Sequence, residues 1–305
     1  EAGIHSGDSV SITPPPNLTK EMVDEIYQQT KKIAINLGVV GLLNIQFAIY
    51  KDEIYIIEVN PRASRTVPFI SKAVGVPMAK VATRVMWQGN LKEALEYYDS
   101  YKKVVFEDGI YTAPIDGYSC VKESVFPFNK LVGSDIVLGP EMKSTGEVMG
   151  ISDNVERSFI KSQISGNNTL PSSGKVLVSL ADKDKDEGIA LAKNLVEQGF
   201  TIMATAGTNK TLAENGIESE FVYKIGEGRP NVADTLQNGD ISLVVNTSDN
   251  VKTSDSAAKI RALVLRLNVP YFTTVKAANL ATQSVKYIKD SSYLEVKSLQ
   301  EWIKG

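Results

Sequence analysis

The chain has 305 residues, 43% hydrophobic and 23% charged, ordinary globular values at a length that favours two domains over one. A net charge of −3 supplies no basic field for nucleic acid, and no apolar run is long enough to span a membrane. The single cysteine, Cys120, cannot close an internal disulfide, which fits a reducing cytoplasm. The single histidine, His5, leaves any metal mainly to oxygen ligands, which favours a hard cation such as magnesium or manganese.

No signal-like segment opens the chain. Residues 1–9, EAGIHSGDS, lack an initiating methionine and read like the middle of a motif, so a fragment is expected, with any N-terminal site short of some walls. Residues 19–37 carry apolar side chains at helical spacing, from Met22 to Leu37, with Thr19 to cap the start and Gly38 after the last turn. Leu42–Ile49 and Ile54–Val59 read as strands around a polar turn, hence a hairpin. Helix follows to about Gln88, interrupted at Gly75 and Pro77. Val121–Phe128 reads as a strand, 139–150 as a loop and 153–164 as a helix. The polar stretch 165–174, SGNNTLPSSG, is the expected linker between a domain of residues 1–164 and one of residues 175–305.

Beyond that linker, strands and helices alternate. Strands are expected at 175–180, 200–204, 221–225, 241–246 and 270–273. Helices are expected at 184–198, 208–215, 230–238, 254–267 and 276–289. That alternation predicts a parallel sheet covered on both faces.

Glu58 and Asn60 are two apart on one strand, so they share a face, and Gln46 joins them if the hairpin register allows. An acid and two amides form an all-oxygen set of the kind a phosphate-bound cation takes. Arg62 and Arg65 follow, with fork-shaped donors suited to phosphate or carboxylate. On residues alone a second reading stands, in which Glu58 merely pairs with Arg62 or a lysine. In the second domain, Thr205-Ala206-Gly207-Thr208 opens a helix and forms an anion nest, unless it is an ordinary capped helix. Ser179, Lys185, Lys224, Asn246, Ser248, Thr273 and Thr274 fall at comparable strand ends.

NIQFAI (44–49) and IIEVNPRASRTVPF (56–69) resemble the ATP-grasp ligases, the second run specifically the carbamoyl-phosphate synthetase large subunits. GIHSGDS (3–9) and the run 122–150 resemble the same family. FTIMATAGT (200–208), KIGEGRPNVADTLQNG (224–239) and LVVNT (243–247) resemble its methylglyoxal-synthase-like (MGS-like) regulatory domain. The implied fold is α/β: the C-terminal subdomain of an ATP-grasp unit, an antiparallel sheet with helices, followed by a parallel-sheet, Rossmann-like MGS-like domain. The implied reaction is phosphorylation of carbamate by ATP, with ammonia from a glutaminase subunit or domain.

In the family, residues matching Gln46, Glu58 and Asn60 bind two magnesium or manganese ions on the ATP phosphates. Those matching Gly3, Ile4, His5 and Ser6 contact ATP, and Arg65, with Arg62, lies at the carbamate and phosphate end. Lys185, Thr205, Thr208, Lys224, Asn246 and Ser248 match contacts to a nucleotide effector, UMP or alternatively IMP. Asp8 matches an ornithine contact in some members. Phe272 replaces an aspartate of ornithine-responsive members, which argues against ornithine activation. The glycine-rich lid, phosphate lysine and adenine pocket precede this segment in the family. The isolated chain is therefore expected to be inactive, and the alternative is an effector-binding module alone. The C-terminal domain contains no histidine, which excludes a methylglyoxal synthase reading.

Overall fold

The computed structural model describes residues 4–127, 138–247 and 255–304. Strand β1 (Ser11–Thr13) comes first, then helix α1 (Lys20–Asn36). The expected cap is present: the Thr19 side chain accepts from the Met22 N–H at 3.3 Å. Strands β2 (Asn44–Tyr50) and β3 (Glu53–Asn60) form the expected hairpin. Helices α2 (Thr66–Val74), α3 (Met78–Gln88) and α4 (Leu91–Glu96) follow. Gly75, at φ 73°, ends α2 in the left-handed conformation, as its place between two helices requires. Val74, Val76, Val81, Ala94 and Leu95 form their shared core.

A short hairpin, β4 (Val105–Glu107) and β5 (Ile110–Thr112), was not evident in the sequence pattern. Next come β6 (Ser119–Val125), β7 (Gly146–Ser152) and α5 (Val155–Ser165). Strands β1, β6 and β7 make one antiparallel sheet in that order. The reading of 139–150 as loop is corrected here: residues 146–152 pair with β6 along their whole length. Gly146 and Gly150 looked like turn formers, but Gly150 serves a close approach. A Cβ there would collide with the Ser158 carbonyl oxygen of α5, which packs against β7.

The rest is β8 (Gly174–Ser179), α6 (Lys185–Glu197), β9 (Phe200–Thr205), α7 (Ala206–Glu214), β10 (Glu220–Val222), α8 (Val232–Gln237), β11 (Leu243–Asn246), α9 (Asp255–Leu267), β12 (Tyr271–Phe272), α10 (Val275–Lys289) and α11 (Leu299–Lys304). The sheet is parallel, in the order β10-β9-β8-β11-β12. Its two faces alternate residue by residue. Val176, Val178, Ile202, Ala204 and Val245 pack with α6, α7 and α10 on one side. Leu177, Met203 and Val244 pack with α8 and α9 on the other. The α/β architecture expected from the sequence is thus present, an antiparallel part followed by a doubly covered parallel sheet. Val121, Phe159 and Leu170 belong to the same buried cluster as Val176 and Leu195, so β6, α5 and the residues after it pack directly on the parallel unit.

Candidate functional site

The β2–β3 hairpin closes through Lys51 and Asp52, both at positive φ (50° and 62°), the geometry that matches the twist of paired strands. Counting back from this turn in an unbroken ladder, Gln46 would face Ile57, and Glu58 would lie on the opposite side. The ladder instead shifts by one residue between Gln46 and Phe47. Ile57 is left without a partner, and beyond this bulge Gln46 faces Glu58 while Asn44 faces Asn60. Cross-strand partners share a face, so all four oxygen-bearing side chains lie on one side of the hairpin. Asn44 was not among the residues singled out from the sequence. Its position two residues before Gln46 is the signal that could have found it.

Glu58 is exposed, and Gln46 and Asn60 are half-buried. The desolvation cost of an acid on an apolar strand therefore does not apply among the described residues. What joins the set is register alone. The donor set is all oxygen with one formal charge, which suits a hard cation already carrying phosphate oxygens.

Arg62 is exposed and donates to its neighbour's carbonyl, Ala63 O, at 3.0 Å. Arg65 immediately precedes α2. Its Nη1 donates to both Ser144 O (2.9 Å) and Ser144 Oγ (3.0 Å). Ser144 is 79 residues away in sequence, and nothing in the sequence pattern marked it.

Residues 4–9 run into β1 beside β6, and Gly3 lies outside the described residues. His5 Nδ1 accepts from Gly7 N–H at 3.0 Å, and the His5 N–H donates to Gly139 O at 2.8 Å. Ile4 and Ser6 are half-buried beside it. The buried Lys122 ammonium donates to Ser6 O (3.3 Å) and pairs with Glu147 (3.2 Å). Asp8 is buried, with its two carboxylate oxygens accepting from Lys143 N–H (2.7 Å) and Ser144 N–H (2.9 Å). Burial by itself would raise the Asp8 carboxyl. Hydrogen bonds from the Ser144 side chain and from these two amides, with the nearby His5, outweigh that and hold it below the ordinary aspartate value.

In the parallel unit the order of strands reverses between β8 and β11, and the carboxyl ends of all five strands open on one edge. Five of the expected effector residues cluster there, and Ser248 lies outside the described residues. Thr205 Oγ1 pairs with Ser179 Oγ at 3.1 Å. Thr208 Oγ1 accepts from Leu180 N–H at 2.9 Å and is buried, so one of its roles is to tie the loop after β8 to α7. Lys185 Nζ stands 3.3 Å from where a Gly207 Cβ would be, over the first turn of α7. It also pairs with Asp182 at 2.6 Å. Its hydrogen bond and charge, with a smaller contribution from Lys224, hold the Asp182 carboxyl low. Lys185 therefore pairs with a carboxylate that also feels the Lys224 charge, and nothing in the sequence pattern marked Asp182. Asn246 Nδ2 donates to Tyr271 OH at 3.3 Å. Phe272 is buried in the core, where a phenyl ring is at home.

The family model for the carbamoyl-phosphate synthase L chain, ATP binding domain, matches residues 2–94, and that for the MGS-like domain matches residues 187–273. The carbamoyl phosphate synthase large chain of Campylobacter jejuni is 57% identical over the whole of this chain. The chain is related over its full length to carbamoyl phosphate synthase large chains. The Helicobacter pylori (strain J99) large chain is 52% identical, again over all of it. A large chain, C-terminal section, from Aquifex aeolicus is 44% identical over 99% of the chain. The chain spans 28% of the first two relatives' length and 57% of the third. The hairpin face lies inside the matched ATP binding domain, and four of the five described effector residues, all but Lys185, lie inside the matched MGS-like domain. Among the described residues no helix is long and apolar enough to cross a membrane.

Proposed function

We propose that this chain supplies the cation-binding side of a site where ATP phosphorylates carbamate, and that its C-terminal unit senses a nucleotide monophosphate. The observation that carries the reading is the shared face of Gln46, Glu58 and Asn60, set by the β2–β3 bulge. These side chains would hold magnesium or manganese, two ions in the family pattern, which neutralise the ATP phosphates. A carbamate oxygen attacks the γ-phosphorus, the bond to the ADP oxygen breaks, and carbamoyl phosphate and ADP are the products. Little covalent chemistry falls to the protein; positioning and charge neutralisation do the rest. Arg65, tethered at one nitrogen, presents the remainder of its fork to the carbamate and phosphoryl oxygens, with Arg62 beside it. Ile4, His5 and Ser6, with Gly3, would line the nucleotide.

The substrates are ATP and carbamate formed from bicarbonate and ammonia, the ammonia coming from a glutaminase chain. The setting is the cytoplasm. Lys185, Lys224, Thr205 and Thr208 at the strand ends would take the phosphate of UMP or IMP, displacing Asp182 from the lysines. Glu58→Ala, made in the large chain that carries this segment, tests the catalytic part. Synthesis of ATP from carbamoyl phosphate and ADP, the reverse of the proposed step, should fall at least a hundredfold, on the order of the loss of a transition-state charge contact. Wild-type rates would remove the hairpin face from the mechanism.

A further inference from the structure

The guanidinium of Arg65 is held by a part of the chain that no motif marked. Its Nη1 reaches two acceptors of one residue, Ser144 O at 2.9 Å and Ser144 Oγ at 3.0 Å. Ser144 is itself immobilised on three sides. Its N–H donates to Asp8 Oδ1 at 2.9 Å, and its hydroxyl donates to Gly7 O at 3.1 Å. The preceding amide, Lys143 N–H, donates to Asp8 Oδ2 at 2.7 Å. One buried carboxylate thus grips two successive amides of the 139–145 loop. The same loop is tied at its other end, where Gly139 O accepts from His5 N–H at 2.8 Å. Gly7 O also accepts from Ser124 Oγ at 2.8 Å, which locks the turn to β6. Little room is left in this contact: a Cβ on Gly7 would stand 2.9 Å from Met142 Sδ and 3.0 Å from His5 Nδ1.

Asp8 and Ser144 are almost completely buried, whereas Arg65 is exposed. An exposed arginine ordinarily samples many rotamers, and its planar fork is useful in a transition state only when its direction is fixed beforehand. We infer that Asp8 and Ser144 are positioning residues for Arg65: the Asp8 clamp fixes the 143–144 backbone, and Ser144 aims the guanidinium. The inference rests on the reading of Arg65 as a group at the phosphoryl-transfer site and extends it. It also makes residues 5–8 and Arg65 parts of one rigid unit, so a nucleotide bound along residues 4–6 and the arginine at the carbamate end are aligned by the same bonds.

A double-mutant cycle in the complete large chain tests this, with rates of ATP formation from carbamoyl phosphate and ADP as the readout. Ser144→Ala should lower kcat about tenfold, the effect of losing one hydrogen bond to a charged group, with the KM for ADP little changed. Asp8→Asn, which turns a donor toward a backbone N–H, should do the same. In the Arg65→Ala background neither substitution should lower the rate further, because the group they act through is gone. Losses that multiply in the double variants, or full activity in Ser144→Ala beside an impaired Arg65→Ala, would overturn the clamp alone. Wild-type turnover in Arg65→Ala would overturn the reading of Arg65 and this inference with it. Melting temperatures of the single variants separate misfolding from mispositioning: a rate loss in Arg65-intact protein with unchanged melting supports the clamp, and a loss that tracks the fall in melting overturns it.

Discussion

Glu123 lies on β6 beneath α5, with Gln163 Nε2 donating to its Oε2 at 2.5 Å and Asn168 hydrogen-bonded in turn to Gln163. Burial pushes its carboxyl up to about 7, against smaller opposing effects from Gln163, the Ser124 N–H and Lys122. An unfolded glutamate loses its proton near 4.5, so between 4.5 and about 7 the folded chain binds more protons than the unfolded one. The stability tied to this group is whole below pH 4.5 and is lost as the pH rises through about 7. Glu123→Gln should remove that loss, leaving the variant about 1–2 kcal/mol more stable than wild type at pH 8, measured by denaturant midpoints at pH 5 and pH 8. Asp8 runs the other way. Its depressed carboxyl stabilises the clamp above the ordinary aspartate value of 3.8, and the contribution fades as the pH falls below it. The sequence gives no hint of this raised proton affinity, because the groups that bury Glu123 come from α5 and the turn after it.

At the scale of elements, what was legible followed local rules. The α1 cap, the hairpin, the break between α2 and α3 and all five parallel strands were readable from spacing, capping residues and alternation. What failed depended on long-range pairing. Strand β7 carries two glycines and looked like a loop, yet it is held by β6 across its full length and by α5 through the Gly150 contact. Gly150→Ala should therefore destabilise the chain by about 2–3 kcal/mol in urea denaturation, since backbone rather than a flexible side chain must give way. An unchanged midpoint would mean that α5 does not lie this close to β7. The hairpin is the subtler case. Residue types alone nominated Gln46, Glu58 and Asn60, but a period-two count from the turn puts Gln46 on the wrong face. The bulge at Ile57 corrects it, and no local signature among these β-branched residues announced a bulge.

Across the whole molecule the two halves differ in how they are closed. The parallel unit buries both faces of its sheet, with Val176, Leu177, Val178, Val244 and Val245 fully inaccessible. The hairpin and α1 keep apolar side chains in the open: Ile35 is 67% exposed, Ile56 46% and Ile57 50%. The described residues of α1 bury no side chain completely, so that helix gains less from packing than those around the parallel sheet. The acid and amides of the hairpin are thus presented outward on a half-covered frame, while Arg65 is fixed from behind by the 139–145 loop. In the proposed site that outward face grips a triphosphate through divalent cations. Anomalous diffraction from crystals of the large chain grown with manganese and a non-hydrolysable ATP analogue tests it most directly. Manganese should appear about 2.1 Å from oxygens of Gln46, Glu58 and Asn60, with the analogue's phosphates completing its shell. Manganese and phosphates bound elsewhere, with those three side chains facing only solvent, would contradict it.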